Sequence, residues 1–169
     1  MNRNDKDFQK VANAYAKSVI QSIKDDLDAL SHAQECDGTL PNGKPCKRGS
    51  ETRKYKLKDG TSGRQMVHNN DEAWHDEDAA RRQIDESPLS LQVRSGWHSP
   101  GETGEAEEYE ILLGTGGPAH RIIGTLDRGQ PDTARFEYQD WFKPWTAAET
   151  SSEQDETLLS FAQTFYFGE

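Results

Sequence analysis

The stretch LLGTGGPAHRIIG, from Leu112 to Gly124, decides the fold because it joins two apolar runs through a glycine-rich segment. A phosphate-binding loop needs a helix N-terminus behind its glycines, and the Walker form also needs a Lys followed by Ser or Thr. The residues after the glycines are instead HRIIGTL, a pattern typical of a strand, and Pro118 has no N–H to donate. The stretch therefore predicts a turn between two strands, and we expect Gly114–Pro118 to bind no phosphate.

Strand patterns continue on both sides of this turn. The run LSLQVR alternates from Leu89, YEILL precedes the turn, and ARFEYQDW alternates again after it. The connections between these runs are rich in turn formers and too short to hold a crossover helix. Residues 89–138 therefore predict an antiparallel sheet of about four strands, in which consecutive strands pair.

Three helices are predicted around this sheet. Apolar residues at spacings of three and four predict a long N-terminal helix at 5–33, and they are Phe8, Val11, Tyr15, Val19, Ile23, Leu27 and Leu30. A short middle helix at about 75–86 begins with acidic residues and ends before Pro88. A C-terminal helix at about 153–166 has Ser151 or Ser152 as its N-cap. The expected fold class is α+β, with the helices packed on the sheet.

The chain length of 169 residues predicts a single domain over 1–169. Within it, residues 34–73 are rich in turn formers, and only TRKYKL indicates a short strand. Residues 44–64 hold two acids and eight basic residues, which are Lys44, Lys47, Arg48, Arg53, Lys54, Lys56, Lys58 and Arg64. We therefore expect 34–73 to be an irregular, basic and mobile insertion.

No segment indicates secretion or membrane insertion. The longest apolar runs fall short of the roughly 18 residues of a membrane span, and the start MNRNDKDFQK lacks the apolar core of a signal peptide. Two cysteines, Cys36 and Cys46, are too few for a secreted disulfide scaffold. We expect a cytoplasmic protein with no membrane partner.

The net charge of −10 belongs entirely to the second part of the chain. Residues 1–94 hold 16 Lys and Arg against 16 Asp and Glu, whereas residues 95–169 hold 4 against 14. Such a surface repels nucleic acid and attracts basic partners. The predicted partner-binding residues are acids of this part and two tryptophans, namely Glu102, Glu105, Glu107, Glu108, Glu110, Asp127, Asp132, Trp141 and Trp145. The tryptophans lie in YQDWFKPW, which serves either as core or as an exposed anchor.

A zinc site is an alternative use of the cysteines. Its ligands would be His32, Cys36, Cys46 and either His68 or His75. The spacing argues against it, because structural sites usually place two cysteines two to four residues apart and nine residues separate Cys36 from Cys46. No cofactor is therefore predicted, and zinc is the alternative.

No constellation of residues identifies a reaction. His98 beside Ser99 and His120 near Asp127 are loose pairs, and neither stands in a GxSxG or HExxH context. We therefore predict that the protein is not an enzyme, and a phage enzyme of unknown reaction is the last alternative.

The second half of the chain carries the strings VRSGWHSPGE, ILLGTGGPAHRIIGTLD, FEYQDWFKPW and FYFGE. Through them, residues 79–169 resemble a family of small uncharacterised accessory proteins of bacteriophages and prophages. The resemblance implies a protein made inside a bacterial host cell, and it brings no catalytic residue. Together with the acidic charge, it predicts an anti-CRISPR-like inhibitor that binds a host defence or nucleic-acid-processing complex directly. The alternative is a small nucleic-acid-binding or zinc-binding accessory protein that uses residues 36–64.

Overall fold

The computed structural model describes residues 3–36, 43, 44, 46, 50–56, 62–68 and 73–168. Of residues 3–6, 50–56 and 62–68 it describes the backbone alone. The elements are α1 (Arg3–Ala33), β1 (Ser50–Lys56), β2 (Ser62–His68), α2 (Glu77–Asp85), β3 (Ser90–Ser95), β4 (Ala106–Gly114), β5 (Ala119–Asp127), β6 (Gln130–Pro131), β7 (Arg135–Gln139), β8 (Thr146–Ala147) and α3 (Ser152–Ala162). The chain forms two compact units, unit 1 (Met1–Lys24 with Asp85–Glu169) and unit 2 (Asp25–Ile84). The single-domain organisation stays a prediction.

The main sheet lies in unit 1 and has the strand order β3-β4-β5-β7-β8, with β6 paired to β5. Every neighbouring pair is antiparallel. The predicted α+β class and the consecutive pairing are therefore confirmed. The sheet has six strands rather than about four, because β6 and β8 are two-residue strands too short to show an alternating pattern.

The glycine-rich stretch is a turn between β4 and β5, as predicted. β5 begins at Ala119, directly after Pro118, so no helix stands behind the glycines. Gly116 has a φ of +107°, which only glycine adopts without strain. A Cβ at Gly117 would lie 1.8 Å from the indole nitrogen of Trp141, so this glycine makes room for that ring. The absence of phosphate binding at this turn stays a prediction.

The core of unit 1 lies on one face of the sheet. Ile111 pairs with Ile122 and Ile122 with Phe136 across three neighbouring strands, and all three are fully buried. Phe161 of α3 is also fully buried. Helix α3 begins with a capping box, in which the Ser151 side chain accepts from the N–H of Gln154 and the Gln154 side chain from the N–H of Ser151. The predicted cap is therefore confirmed.

The buried face of α1 differs from the predicted apolar stripe. Val11 is half exposed, whereas the buried residues of α1 in unit 1 are Ala12, Ala16, Ile20 and Ile23. Phe8 and Tyr15 flank that row, and their rings lie 5.6 and 5.2 Å from the ring of Tyr138. The apolar periodicity therefore predicted the helix and two buried members of its stripe, Ile23 and Leu30, but not the exposure of Val11.

Unit 2 contains the end of α1, the hairpin β1–β2 and helix α2. The Gln83 side chain donates to Asp26 at 2.5 Å, and the Gln34 side chain donates to Glu77 at 3.0 Å. The strand predicted at TRKYKL is confirmed from Thr52 to Lys56 by β1, and Leu57 lies outside the described residues. β2 was not predicted because SGRQMVH is mostly polar. Of the basic segment, Lys44 is exposed, and the side chains of its other members lie outside the described residues.

None of the helices in the described ranges is long and apolar enough to cross a membrane.

Acid is expected to destabilise unit 1 through His120. Its ring packs 5.1 Å from that of Tyr15 and 5.9 Å from that of Phe136, and burial lowers its pKa below the usual 6.5. In the unfolded chain the imidazole of His120 is protonated at its usual pKa of 6.5, whereas in the folded chain it is protonated only at lower pH. The neutral His120 therefore contributes fully to the free energy of unfolding above pH 6.5, and this contribution is lost as the pH falls through the lowered pKa of the folded state. Urea unfolding between pH 8 and 5 should show a steeper loss in the wild type than in His120→Phe.

The control is His98→Phe, because the ring of His98 is exposed. This variant should lose stability with acid as steeply as the wild type does. If His120→Phe and the wild type show the same slope, burial of His120 does not contribute to the pH dependence.

Candidate functional site

Five exposed carboxylates collect at one end of the main sheet. β4 begins where β5 ends, since Glu108 pairs with Thr125, and the N–H of Asp132 donates to the carbonyl oxygen of Thr125 at 2.9 Å. The connection from β3 to β4 lies at the same end, because Ser95 at the end of β3 pairs with Ala106 at the start of β4. We call this surface the acidic end, and its members are Glu102, Glu105, Glu107, Asp127 and Asp132, all exposed.

Two of the predicted acids are already paired within the chain. Glu108 forms an ion pair with Arg94, and Glu110 forms one with Arg121. Their charges are therefore largely balanced by their own neighbours. The sequence did not indicate this, because the partners are set by strand register.

The acidic end also carries a tryptophan that the sequence did not single out. Trp97 lies in the β3–β4 connection, a few residues before Glu102, and its side chain is fully exposed. Its setting in SGWHSPGETGE, a turn-rich segment without strand alternation, is a signal that the ring would not enter the core. Trp is enriched at protein interfaces and among hot-spot residues, so an exposed ring at this end is a candidate contact residue.

The predicted tryptophans lie at the opposite end of the sheet. Gln139 pairs with Ala119 at the start of β5, and β5 runs about 26 Å from there to Asp127 at about 3.3 Å per residue. Trp141 is 65% exposed, and Trp145 is half-buried with the Arg121 guanidinium 4.1 Å from its ring centre. The fold therefore separates the predicted partner-binding residues into two groups rather than one surface.

A groove of about 610 Å³ crosses the sheet face opposite the core. Three arginines line it, and each is already bound to a carboxylate: Arg94 to Glu108, Arg121 to Glu110 and Glu137, and Arg135 to Glu137. An anionic ligand would have to displace these pairs. The groove is therefore not arranged as a phosphate or carboxylate site.

Unit 2 brings together most of the predicted zinc ligands. One ligand atom each from His32, Cys36, Cys46 and His75 lies within 4.8 Å of all the others. Both cysteines are free thiols and half-buried. The alternative fourth ligand, His68, has its backbone in β2, but its side chain lies outside the described residues.

The loose catalytic pairs of the sequence gain no support from their positions. His120 and Asp127 stand near the two ends of β5, about 23 Å apart along the strand. The exposed ring of His98 packs against Gly104. The absence of an enzymatic activity stays a prediction.

No protein family, curated protein or solved structure matches this chain. The resemblance to phage accessory proteins stays a prediction.

Proposed function

We propose that the protein acts without catalysis, by binding a partner that has a basic, nucleic-acid-binding surface through its acidic end. The observation that carries the proposal is that strand pairing brings the loops and strand ends that carry five exposed carboxylates and the fully exposed Trp97 to one end of the sheet. The partner is a host defence or nucleic-acid-processing complex of a bacterial cell, as the resemblance to phage accessory proteins implies. In this sense the protein is anti-CRISPR-like.

Electrostatic competition is the proposed mechanism. A nucleic-acid-binding protein presents Lys and Arg side chains that normally contact phosphates. Carboxylates held on a sheet end can occupy those side chains, and the same field accelerates association at low salt. The binding should therefore weaken steeply with salt and should exclude the nucleic acid.

Trp97 is the proposed anchor of the contact. Charge pairs at the rim of an interface mainly set the association rate and specificity, while buried aromatic residues contribute most of the affinity. Trp97 offers a large apolar ring with one N–H donor, and it stands next to the acids in the chain. Its burial on binding would stabilise a complex that carboxylates alone would hold only weakly.

Reversing three acids should disrupt the complex. With the full chain as bait, the partner is captured from a bacterial lysate, identified by mass spectrometry, and its affinity is measured directly. The variant Glu102→Lys, Glu105→Lys, Glu107→Lys should weaken binding about tenfold or more at low salt, and should no longer displace DNA from the partner. A control with equal net charge is Asp7→Lys, Asp28→Lys, Glu156→Lys, whose sites are exposed on helices. If both variants bind equally, the acidic end is not the contact.

A pair of tryptophan variants tests the anchor. Trp97→Ala should weaken binding by about 2 kcal/mol or more, as hot-spot truncations do, while the circular dichroism spectrum stays unchanged. Trp141→Ala at the other end of the sheet should leave affinity unchanged. The reverse result would place the binding surface at Trp141 and refute this proposal.

A further inference from the structure

We propose that unit 2 binds one structural zinc ion through His32, Cys36, Cys46 and His75. The site is independent of the acidic end, because all four residues belong to unit 2. It is a Cys2His2 site without the usual closely spaced pair of cysteines.

The geometry of the four residues is close to that of a zinc tetrahedron. With ordinary Zn–N and Zn–S bond lengths, ligand atoms of such a site stand about 3.3–3.8 Å apart. Sγ of Cys46 lies 3.5 Å from Nε2 of His32, which falls within this range. All four ligand atoms lie within 4.8 Å of one another, so side-chain movements of about an ångström would complete the site.

The local structure holds both histidines in place. His32 lies in the last turn of α1, and Cys36 follows it by four residues, about one helical turn. Asp76 caps α2, because its Oδ1 accepts from the N–H groups of Asp78 and Ala79 at 2.9 and 3.1 Å. His75 immediately precedes this cap, and its ring centre lies 5.7 Å from that of His32.

The donor set selects zinc among common metal ions. Two thiolates and two imidazoles suit Zn²⁺, whereas Ca²⁺ and Mg²⁺ require oxygen ligands. The neighbouring carboxylates have other roles, since Asp76 caps α2 and Glu77 accepts from Gln34. Four protein ligands leave no open position for water or substrate, so the ion has a structural role.

A zinc ion would add to the stability that the described apolar side chains of unit 2 provide. Among its described residues, the buried apolar side chains are Ala29, Leu30, Ala73, Ala80 and Ile84, three of them alanines. Structural zinc contributes directly to the folding free energy of the unit that binds it. The four ligands flank the hairpin β1–β2 in the chain, so the ion would tie the start of this insertion, at Cys36 and Cys46, to its end at His75.

Metal analysis of the full chain tests the site. The protein purified without chelator should contain one zinc per chain, and the chelated protein should take up Co²⁺ with the thiolate charge-transfer and intense visible bands of a tetrahedral thiolate site. Cys36→Ser, Cys46→Ser and His75→Gln should each weaken zinc binding by more than about 100-fold, beyond what loss of an outer-shell partner costs. The matched control His68→Gln should bind zinc as the wild type does.

Two further measurements keep the result independent of misfolding. His75→Cys should still bind zinc, because thiolate can replace imidazole as a ligand. Chelation should make the chain between Cys36 and His75 sensitive to protease while the 95–169 segment stays resistant. A protein that neither contains nor takes up zinc, a disulfide between Cys36 and Cys46 in the purified protein, or loss of zinc in His68→Gln but not in His75→Gln would each overturn the proposal.

Discussion

Phe136→Ala is expected to lower the free energy of unfolding of unit 1 by about 3–5 kcal/mol, the usual cost of removing a large buried ring. Phe136 is fully buried in the centre of the sheet, where it pairs with Ile122 and stacks 5.9 Å from His120. Neighbouring strands hold the surrounding side chains, so the cavity left by the ring cannot close by a local movement. Denaturant unfolding followed by circular dichroism measures the difference.

The matched control is Phe142→Ala in the β7–β8 turn. Phe142 is fully exposed, so its truncation should change stability by less than about 0.5 kcal/mol. Phe142 also has a φ of +59°, which glycine tolerates better, so Phe142→Gly should be at least as stable as Phe142→Ala. Equal losses for Phe136→Ala and Phe142→Ala would contradict the placement of the core.

Glu137→Gln is expected to lower the free energy of unfolding by about 1.5–3 kcal/mol, because the half-buried Arg121 loses one of its two carboxylate partners and keeps only Glu110. Glu137 is buried, its carboxylate accepts a hydrogen bond from Arg121 at 2.7 Å, and it forms an ion pair with Arg135 at 3.1 Å. The glutamine keeps the volume of the side chain but removes its charge. Unfolding in urea at low and high salt measures the loss, which should persist at high salt because the site is shielded from solvent.

An exposed ion pair on the same sheet is the control. The side chains of Arg94 and Glu108 are 77% and 45% exposed, so Glu108→Gln should cost no more than about 1 kcal/mol, and that cost should vanish at high salt. If Glu137→Gln costs no more than Glu108→Gln, the Arg121–Glu137–Arg135 cluster does not stabilise the sheet.

The turn at Gly114–Pro118 shows why the fold class could be predicted. The few residues after the glycines indicate whether a helix or a strand follows, and HRIIGTL has the residue pattern of a strand. The N-cap at Ser151 was predictable for the same reason, because the cap bonds only residues up to three positions away. β2, β6 and β8 were missed because they are polar or very short, and their pairing with a neighbouring strand, rather than their own pattern, defines them.

The candidate sites depended on pairing between distant segments. The sequence identified the acidic character of residues 95–169, but strand register decided that Glu108 and Glu110 are paired and that the β3–β4 connection and Asp132 lie at the same end of the sheet. The residue types likewise indicated His32, Cys36 and Cys46 as candidate zinc ligands, but the spacing of the two cysteines argued against a zinc site.

The sequence by itself therefore determined the α+β class, the helices, the central turn and the sign of the surface charge. The tertiary structure decided that Trp141 lies at the sheet end opposite the acidic residues, and that His75 lies beside the two cysteines despite the long spacing between them. The physical reason is the range of the forces involved. Backbone hydrogen bonding and side-chain periodicity act over a few residues, whereas the neighbours of a surface side chain are set by the burial that brings distant strands and helices into register.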